Sequence, residues 1–395
     1  MKNKMELPQN VVWIIDRLNM RGYRADVVGG AVRDMYIGRV APDFDIATNA
    51  RPSEVKDIFS DVRTIDTGIK HGTVTVHLDG ENYEVTTYRL DGAYKDARHP
   101  ESVEFTDELA LDLSRRDFTM NAMAYNKREG IIDLFGGISD IESRIIRTVG
   151  DGSVRFSEDA LRILRALRFA SVLDFEIEDS TRKAIFEKAH LLSLVSVERI
   201  YAEWNKLISG VGAYRVLSDY KPIFENILSV SLENMPNRER FCASSNLSRM
   251  LSIFAMGSER PCEVFDSTMR RLHTDNNTRI LGTSALKALA EYSLSDISDV
   301  LFALSVFGTE VINLAIEVGI IIGKYTQDTR IHLTAALSSG VPYKISDLAI
   351  GGIDLLAVGL HGEMLGRTLQ DLLIKVIKGE CENTKDSLLS VVAKH

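Results

Sequence analysis

Asp43-Phe44-Asp45 places two carboxylates one residue apart. In an extended strand, side chains two positions apart share a face, so this pair can meet one or two cations together. Ligation by carboxylate oxygens alone suits Mg2+, which keeps several waters and completes its shell from substrate phosphates. Such a site activates an attacking oxygen and stabilises the leaving one in an in-line displacement at phosphorus. A third carboxylate is normally needed on the nucleophile side, and Glu84, in the alternating run Tyr83–Arg89, is the candidate. By itself the triplet equally describes a turn or the exposed face of an edge strand. Its surroundings must decide.

Val27-Val28-Gly29-Gly30-Ala31-Val32-Arg33-Asp34 reads as a strand, a glycine pair and a helix start. Glycines let backbone approach a ligand closely, and free N–H groups at a helix start favour phosphate. Arg33, one turn on, offers a bidentate guanidinium to a triphosphate. The plain alternative is a tight turn with Gly29 or Gly30 at positive φ. The same short stretch runs through Gly38-Arg39 into Asp43 and Asp45, so a phosphate cradle and a metal pair sit close in the chain.

A third constellation is Glu158-Asp159-x-x-Arg162-x-x-Arg165-x-x-Arg168. On one helix, Asp159 and Arg162 are i,i+3 neighbours, and Arg165 and Arg168 continue a basic stripe. A carboxylate accepts from the exocyclic amine of cytosine or adenine, whereas guanine and uracil present a carbonyl there. An Asp–Arg pair therefore selects C and A. Its plain alternative is a surface ion pair contributing little.

These residues need elements to hold them. The first third of the chain mixes strand and helix signals: a helix over Asn10–Met20, a strand over Asp26–Gly30, a helix over Ala31–Ile37, and strands over Phe44–Ala47, Thr73–Leu78 and Tyr83–Arg89. On the last of these, Glu84, Thr86 and Tyr88 share one face. Asp91–Pro100 is a polar loop. After Ser157 helical spacing dominates, with helices over Glu158–Val172, Ser180–Ala189 and Val197–Ser209. This is an α+β head followed by an all-helical remainder, without the alternation of a βαβ protein.

The 395 residues are 45% hydrophobic and 26% charged, enough for more than one packed domain. A net charge of −9 excludes a broad basic coat for RNA but not a local basic groove on an acidic body. Cys242, Cys262 and Cys381 lack metal-ligand spacing and suggest no disulfide framework, so a reducing cytoplasm is expected. The N-terminal stretch has no apolar signal region. Val311–Gly323, the most apolar stretch, reads as a buried helix too short to cross a bilayer, so no membrane partner is expected. No adjacent His-Asp pair exists, and His71 and His99 read as surface or loop residues.

The glycine pair with Val32-Arg33-Asp34, Gly38-Arg39 and Asp43-x-Asp45 resembles the signature of the polymerase-β-like nucleotidyltransferases. More narrowly, the chain is similar to the class II tRNA nucleotidyltransferase and bacterial poly(A) polymerase group. Arg115-Arg116-Asp117-Phe118-Thr119-Met120-Asn121-Ala122 resembles that group's ribose and nucleotide motif. Asp133–Gly137 with Asp140 resembles its head–neck hinge, Glu158–Arg162 its base-reading helix, and Ser196–Ile200 with Glu203 its neck motif. A weaker likeness, Asp347–Leu355 then Gly366–Ile377, matches its tail segment.

The resemblance implies a polymerase-β-like head, a small mixed sheet with helices, over residues 1–150. A helical neck carrying the base-reading helix follows over 151–215, and a helical body and tail that bind tRNA over 216–395. Asp43 and Asp45 would hold Mg2+, assisted by Glu84. Gly30, Arg33 and Arg116 would bind the nucleotide, Asp117 and Asn121 would lie near the ribose 2′-hydroxyl, Asp159 and Arg162 would act as the protein template, and Arg165 and Arg168 would meet nucleotide or phosphate. Asp117 has a plain alternative as the cap of a helix over Phe118–Tyr125, and Arg199–Glu203 reads as a structural i,i+4 pair. Asp91–Phe105 resembles the full-length flexible loop of enzymes that add complete CCA to tRNA from CTP and ATP. A-adding or CC-adding enzymes and poly(A) polymerases are the alternatives within the family. Outside it stands a non-catalytic RNA-binding scaffold, whose expected mark, loss of a carboxylate or of the glycine segment, is missing. Nothing in the sequence speaks to oligomeric state.

Overall fold

The computed structural model describes residues 5–66, 68–92 and 103–393, which fold as two compact units, Met1–Gly212 and Ala213–His395. In the first unit, α1 (Gln9–Met20) opens after Pro8 and buries Val11, Ile14, Ile15 and Leu18, the apolar positions at helical spacing. It packs on β1 (Ala25–Val28), a short run buried at every position, which ends in the Gly29–Gly30 turn and α2 (Gly30–Tyr36). Next come β2 (Asp45–Thr48), α3 (Pro52–Ile58), β3 (Arg63–Ile65), β4 (Thr73–Leu78) and β5 (Glu81–Thr87). A ribbon of β6 (Arg89–Asp91) and β7 (Val103–Phe105) flanks the expected loop, whose residues 93–102, His99 among them, lie outside the described residues. The head closes with α4 (Leu109–Ser114), β8 (Met123–Asn126) and β9 (Gly130–Asp133).

The strands form a mixed sheet in the order β3-β4-β5-β2-β1-β8-β9, with β2 and β5 parallel and the other pairs antiparallel. This is the small mixed sheet of the expected α+β head. Val28, Ala47, Tyr88, Leu109, Leu113 and Ala124 form a buried cluster, so α4 covers the strands that carry the site. Tyr88 corrects the alternation read from sequence. It lies just past β5 and, instead of sharing a face with Glu84, is fully buried with its hydroxyl donating to Asp26 at 2.8 Å.

Helices follow: α5 (Gly137–Glu142), then, past the short β10 (Ile145–Ile146), α6 (Gly152–Glu158) and α7 (Leu161–Leu173). β11 (Glu176–Ile177) pairs with β10, and α8 (Asp179–Lys188) and α9 (Val197–Ile208) complete the unit. α9 packs along α7, and Gly210 closes that contact: a Cβ there would lie 2.2 Å from Ser171 Oγ and 2.5 Å from its carbonyl carbon. Because backbone cannot give way cheaply, Gly210→Ala should cost about 1–3 kcal/mol of stability, read as a lower denaturation midpoint. An unchanged midpoint would show that α9 is not held there.

The second unit is helical among its described residues. The apolar stretch expected to start at Val311 starts at Ile297 instead and runs 26 residues to Ile322, long and apolar enough by length and composition to cross a membrane. The sequence reading missed the first half because Ser298, Asp299 and Ser305 dilute it. Gly308, at φ 77 and ψ 170, kinks the helix into two shorter pieces. It packs against Asn246–Gly257, Asn276–Glu291 and Gln327–Ser338, burying Val300, Leu301, Leu304, Ile312 and Ile316. It is the core helix of this unit.

Candidate active site

Strand register gathers the carboxylates. Val28, the last residue before the glycine turn, pairs with Asp45, and Ile46 pairs with Val85, so Asp45 and Glu84 stand one residue back on neighbouring parallel strands. Both are exposed where Ile46 and Val85 are buried. β2 begins at Asp45, one residue later than the strand expected over Phe44–Ala47, so Asp43 lies two residues ahead of it and the two carboxylates do not share one strand as expected; Asp43 too is exposed. The Asp45 carboxyl is held above its ordinary value, first by protein crowding out water at its base, then by Glu84 and by Asp43, with Arg116 opposing. Among the described residues no three acidic, His or Cys side chains close into a ready metal cage. Carboxylates that repel one another without closing a cage fit a cation that keeps waters and accepts phosphate oxygens.

The glycine turn is shaped by an arginine. Gly29 sits at φ 77 and donates to the Met123 carbonyl at 3.2 Å, and a Cβ on it would approach Arg116 Nη1 to 3.0 Å. The positive φ therefore favours glycine there, and a Cβ would make Arg116 shift by a few tenths of an ångström. Arg33 is buried, with Nε and Nη2 on Asp34 at 2.9 and 3.0 Å and Nη1 donating to Asn121 Oδ1 at 2.6 Å. Asn121 Nδ2 in turn donates to Asp117 at 3.2 Å, and Asp117 Oδ2 accepts from Arg165 Nε at 2.8 Å. Burial pushes the Asp117 carboxyl up, but Arg165 and Asn121 outweigh it and hold it down at about 2. The helix expected over Phe118–Tyr125 is a 3-10 turn, Thr119–Asn121, followed by β8. Asp117 Oδ1 accepts the Phe118 N–H at 2.8 Å, so this carboxylate ties a turn to α7 instead of capping a helix.

The base-reading segment departs most from the sequence reading. The helix expected over Glu158–Val172 is broken: α6 ends at Glu158, Asp159 is extended at φ −140 and ψ 105, and α7 begins at Leu161. Asp159 therefore does not share a helix face with Arg162. It accepts the Leu161 N–H at 3.0 Å and pairs with Arg199 at 2.9 Å. Arg162 pairs with Glu158 at 2.6 Å and donates to the Arg115 carbonyl at 3.1 Å. The expected Arg199–Glu203 pair is likewise replaced: Arg199 reaches Asp159, and buried Glu203 lies 3.1 Å from Arg168. Pairing between α9 and the start of α7 wins because it compensates charges that would otherwise be buried alone.

One cavity of about 470 Å³ is lined by Gly29, Gly30, Arg33, Asp34, Asp45, Arg116, Asp117 and Asn121, by Arg165, Arg168 and Phe169 of α7, and by Lys206 and Ser209 near the end of α9. Arg39 and Val40 also reach it, whereas Asp43, Glu84, Asp159 and Arg162 do not line it. Phe169 is the surface on which the guanidinia of Arg33, Arg165 and Arg168 stack, at 4.9, 5.5 and 4.1 Å from its ring centroid. In a chain of charge −9 this is a local cationic pocket beside a carboxylate. It can hold a polyphosphate with its phosphorus next to Asp45. The sequence reading missed Phe169, Lys206 and Asp112. Asp112 was open to detection, since it stands on α4 three and four residues before Arg115 and Arg116, which follow the end of that helix. The Arg33–Phe169 contact was not, because nothing local links those positions.

The Poly A polymerase head domain matches residues 25–147, a probable RNA-binding site of polymerase A matches 174–220, and a putative tRNA nucleotidyltransferase domain 2 matches 261–392. A CCA-adding enzyme of Enterococcus faecalis is 37% identical over 96% of this chain and 94% of its own. The crystal structure of Bacillus stearothermophilus CCA-adding enzyme in complex with CTP aligns over 98% of this chain and 96% of its own, with a TM-score of 0.76 and 33% identity. That of the Thermotoga maritima CCA-adding enzyme complexed with tRNA aligns at a TM-score of 0.72 over 99% of this chain and 97% of its own, its 20% identity marking a shared fold.

Proposed function

The chain belongs to the CCA-adding enzymes of the tRNA nucleotidyltransferase family, and from that premise we propose how its own residues carry out the reaction. The enzyme adds CCA to the 3′ end of tRNA without a nucleic-acid template, transferring CMP and AMP from CTP and ATP with release of pyrophosphate. The observation that carries the residue assignment is the single cavity shared by Gly29, Gly30, Arg33, Arg116, Arg165, Arg168 and Asp45.

In this reading the arginines and the glycine turn receive the triphosphate and set the α-phosphorus beside Asp45. The tRNA 3′-hydroxyl attacks that phosphorus in line, and the bond to pyrophosphate breaks. Asp43 and Asp45 would hold the family's divalent metal, which we take to be Mg2+, with Glu84 beside them. Bound there, the cation neutralises charge on the reacting and departing phosphates. Asp117 and Asn121 fix Arg165 and Arg33 where the ribose lies, and catalysis rests on position and charge rather than on a covalent intermediate. Asp159 and Arg162 read the base from just outside the cavity. We assign nucleotidyl transfer to the head over 1–150, base reading to the neck over 151–215 and tRNA binding to the body and tail over 216–395. The free cysteines Cys242, Cys262 and Cys381 support a reducing cytoplasm as its compartment.

The test is incorporation with Mg2+ on three RNAs: tRNA ending at the discriminator base, tRNA ending in CC, and a generic RNA 3′ end. Addition of C, C and A to the first, of A alone to the second and of nothing to the third is expected. Extended A tails on the generic end would instead identify a poly(A) polymerase.

A further inference from the structure

Asp112 is almost wholly buried, 1% exposed, and two guanidinia converge on it. Burial pushes its carboxyl up, and Arg115 and Arg116 overcome this to hold it below the usual carboxylate range. Oδ1 takes Arg115 at 3.0 and 2.8 Å and the Arg89 backbone N–H at 3.4 Å, while Oδ2 takes Arg116 Nη2 at 3.2 Å. Arg116 is otherwise sparsely held. Its Nε is buried without a hydrogen-bond partner among the described residues, and its Nη1 fills the space a Cβ on Gly29 would need. Arg116 also lines the cavity and pulls on Asp45. A long side chain with a single charged anchor, pressed against a glycine, keeps its orientation only while that anchor keeps its charge.

We propose that Asp112 is a positioning residue for nucleotidyl transfer: from beneath the cavity it aims the Arg116 guanidinium past Gly29 at the polyphosphate. The proposal rests on the reading of the cavity as the triphosphate site. The anchor acts through Arg116 and touches no substrate, so its loss must be felt by the polyphosphate and not by the base. Arg115, the other partner, shares Asp112 Oδ1 with the Arg89 N–H at the start of β6 and does not line the cavity.

Asp112→Asn keeps the shape and removes the charge, leaving an amide that must face two guanidinia. In the full-length enzyme it should lower kcat/KM for CTP and ATP alike by about 10- to 100-fold, the scale of one hydrogen bond to a charged group, with the loss chiefly in KM. CTP binding by calorimetry should weaken in step while CMP binding is unchanged. On an Arg116→Ala background, Asp112→Asn should add nothing. Losses that multiply on that background, equal weakening of CTP and CMP, or no loss from Asp112→Asn where Arg116→Ala is damaging would each overturn the proposal. An Arg116→Ala enzyme of full activity would instead remove the triphosphate reading, and the proposal with it. Asp112→Glu guards against poor folding of the amide: it should recover much of the CTP affinity, and affinities that follow melting temperature rather than the presence of a carboxylate would reduce Asp112 to a purely structural residue.

Discussion

Asp45→Asn is expected to cut CMP and AMP incorporation by about 100- to 1000-fold, the loss of a principal electrostatic group, while the protein stays folded. The side chain stands exposed at the first residue of β2, and what shifts its carboxyl upward is crowding and the charges of Glu84 and Asp43. Neutralising it relieves repulsion in the apo protein, so thermal stability should hold or rise slightly, the usual trade between a strained site and a stable one. Activity and stability therefore move in opposite senses. Single-turnover incorporation on tRNA lacking CCA, with a melting curve on the same preparation, reads both. Substantial activity in Asp45→Asn would remove Asp45 from the chemistry. Asp43→Ala should match it in activity, and a mild effect there would leave Asp45 and Glu84 as the working pair.

The paired carboxylates and the glycine turn were legible in the sequence because the elements that bring them together are short and nearly adjacent. Val28 pairs with Asp45 across one strand boundary, and α2 fills the chain between them. Arg33 was recognisable from that locality, Arg165 and Arg168 from helical spacing and Arg116 from the family resemblance, and all four line one cavity. What sequence spacing could not supply is which acid each arginine takes. Arg168 reaches Glu203 and Arg199 reaches Asp159, partners with β11, α8 and a 3-10 helix between them in the chain. Helical periodicity could not see the break at Asp159 either, because Glu158, Arg162 and Arg165 keep a spacing that one continuous helix would also satisfy. The break pays for itself with contacts: it lets Asp159 leave the helix face and meet α9. Charge told a similar story, since a sum of −9 conceals a pocket built from arginines of α2, α7 and the segment after α4.

Under the proposed assignment, that break bears on how the base is chosen. In the structure the Asp159 carboxylate is shared between the Leu161 N–H and Arg199, and in the proposed reading it offers the base an acceptor already fixed in place. Such a group welcomes the amine of cytosine or adenine and confronts the carbonyl of uracil or guanine with like charge. Asp159→Ala should therefore cost CTP and ATP their preference more than it costs the chemical step. Discrimination against UTP and GTP should shrink by about 5- to 150-fold, the range for one good base contact. Arg162→Ala should relax selectivity as well, but it also frees Glu158 and the Arg115 carbonyl, so it should lower turnover too. Asp159→Asn separates charge from contact, because its amide can turn its N–H toward uracil O4. If the carboxylate is the reader, this variant should raise UTP incorporation above that of Asp159→Ala. Competition assays with CTP against UTP on tRNA ending at the discriminator base give the ratios directly. Ratios unchanged in all three variants would mean that the base is read elsewhere and that Asp159 serves only to hold α7 against α9.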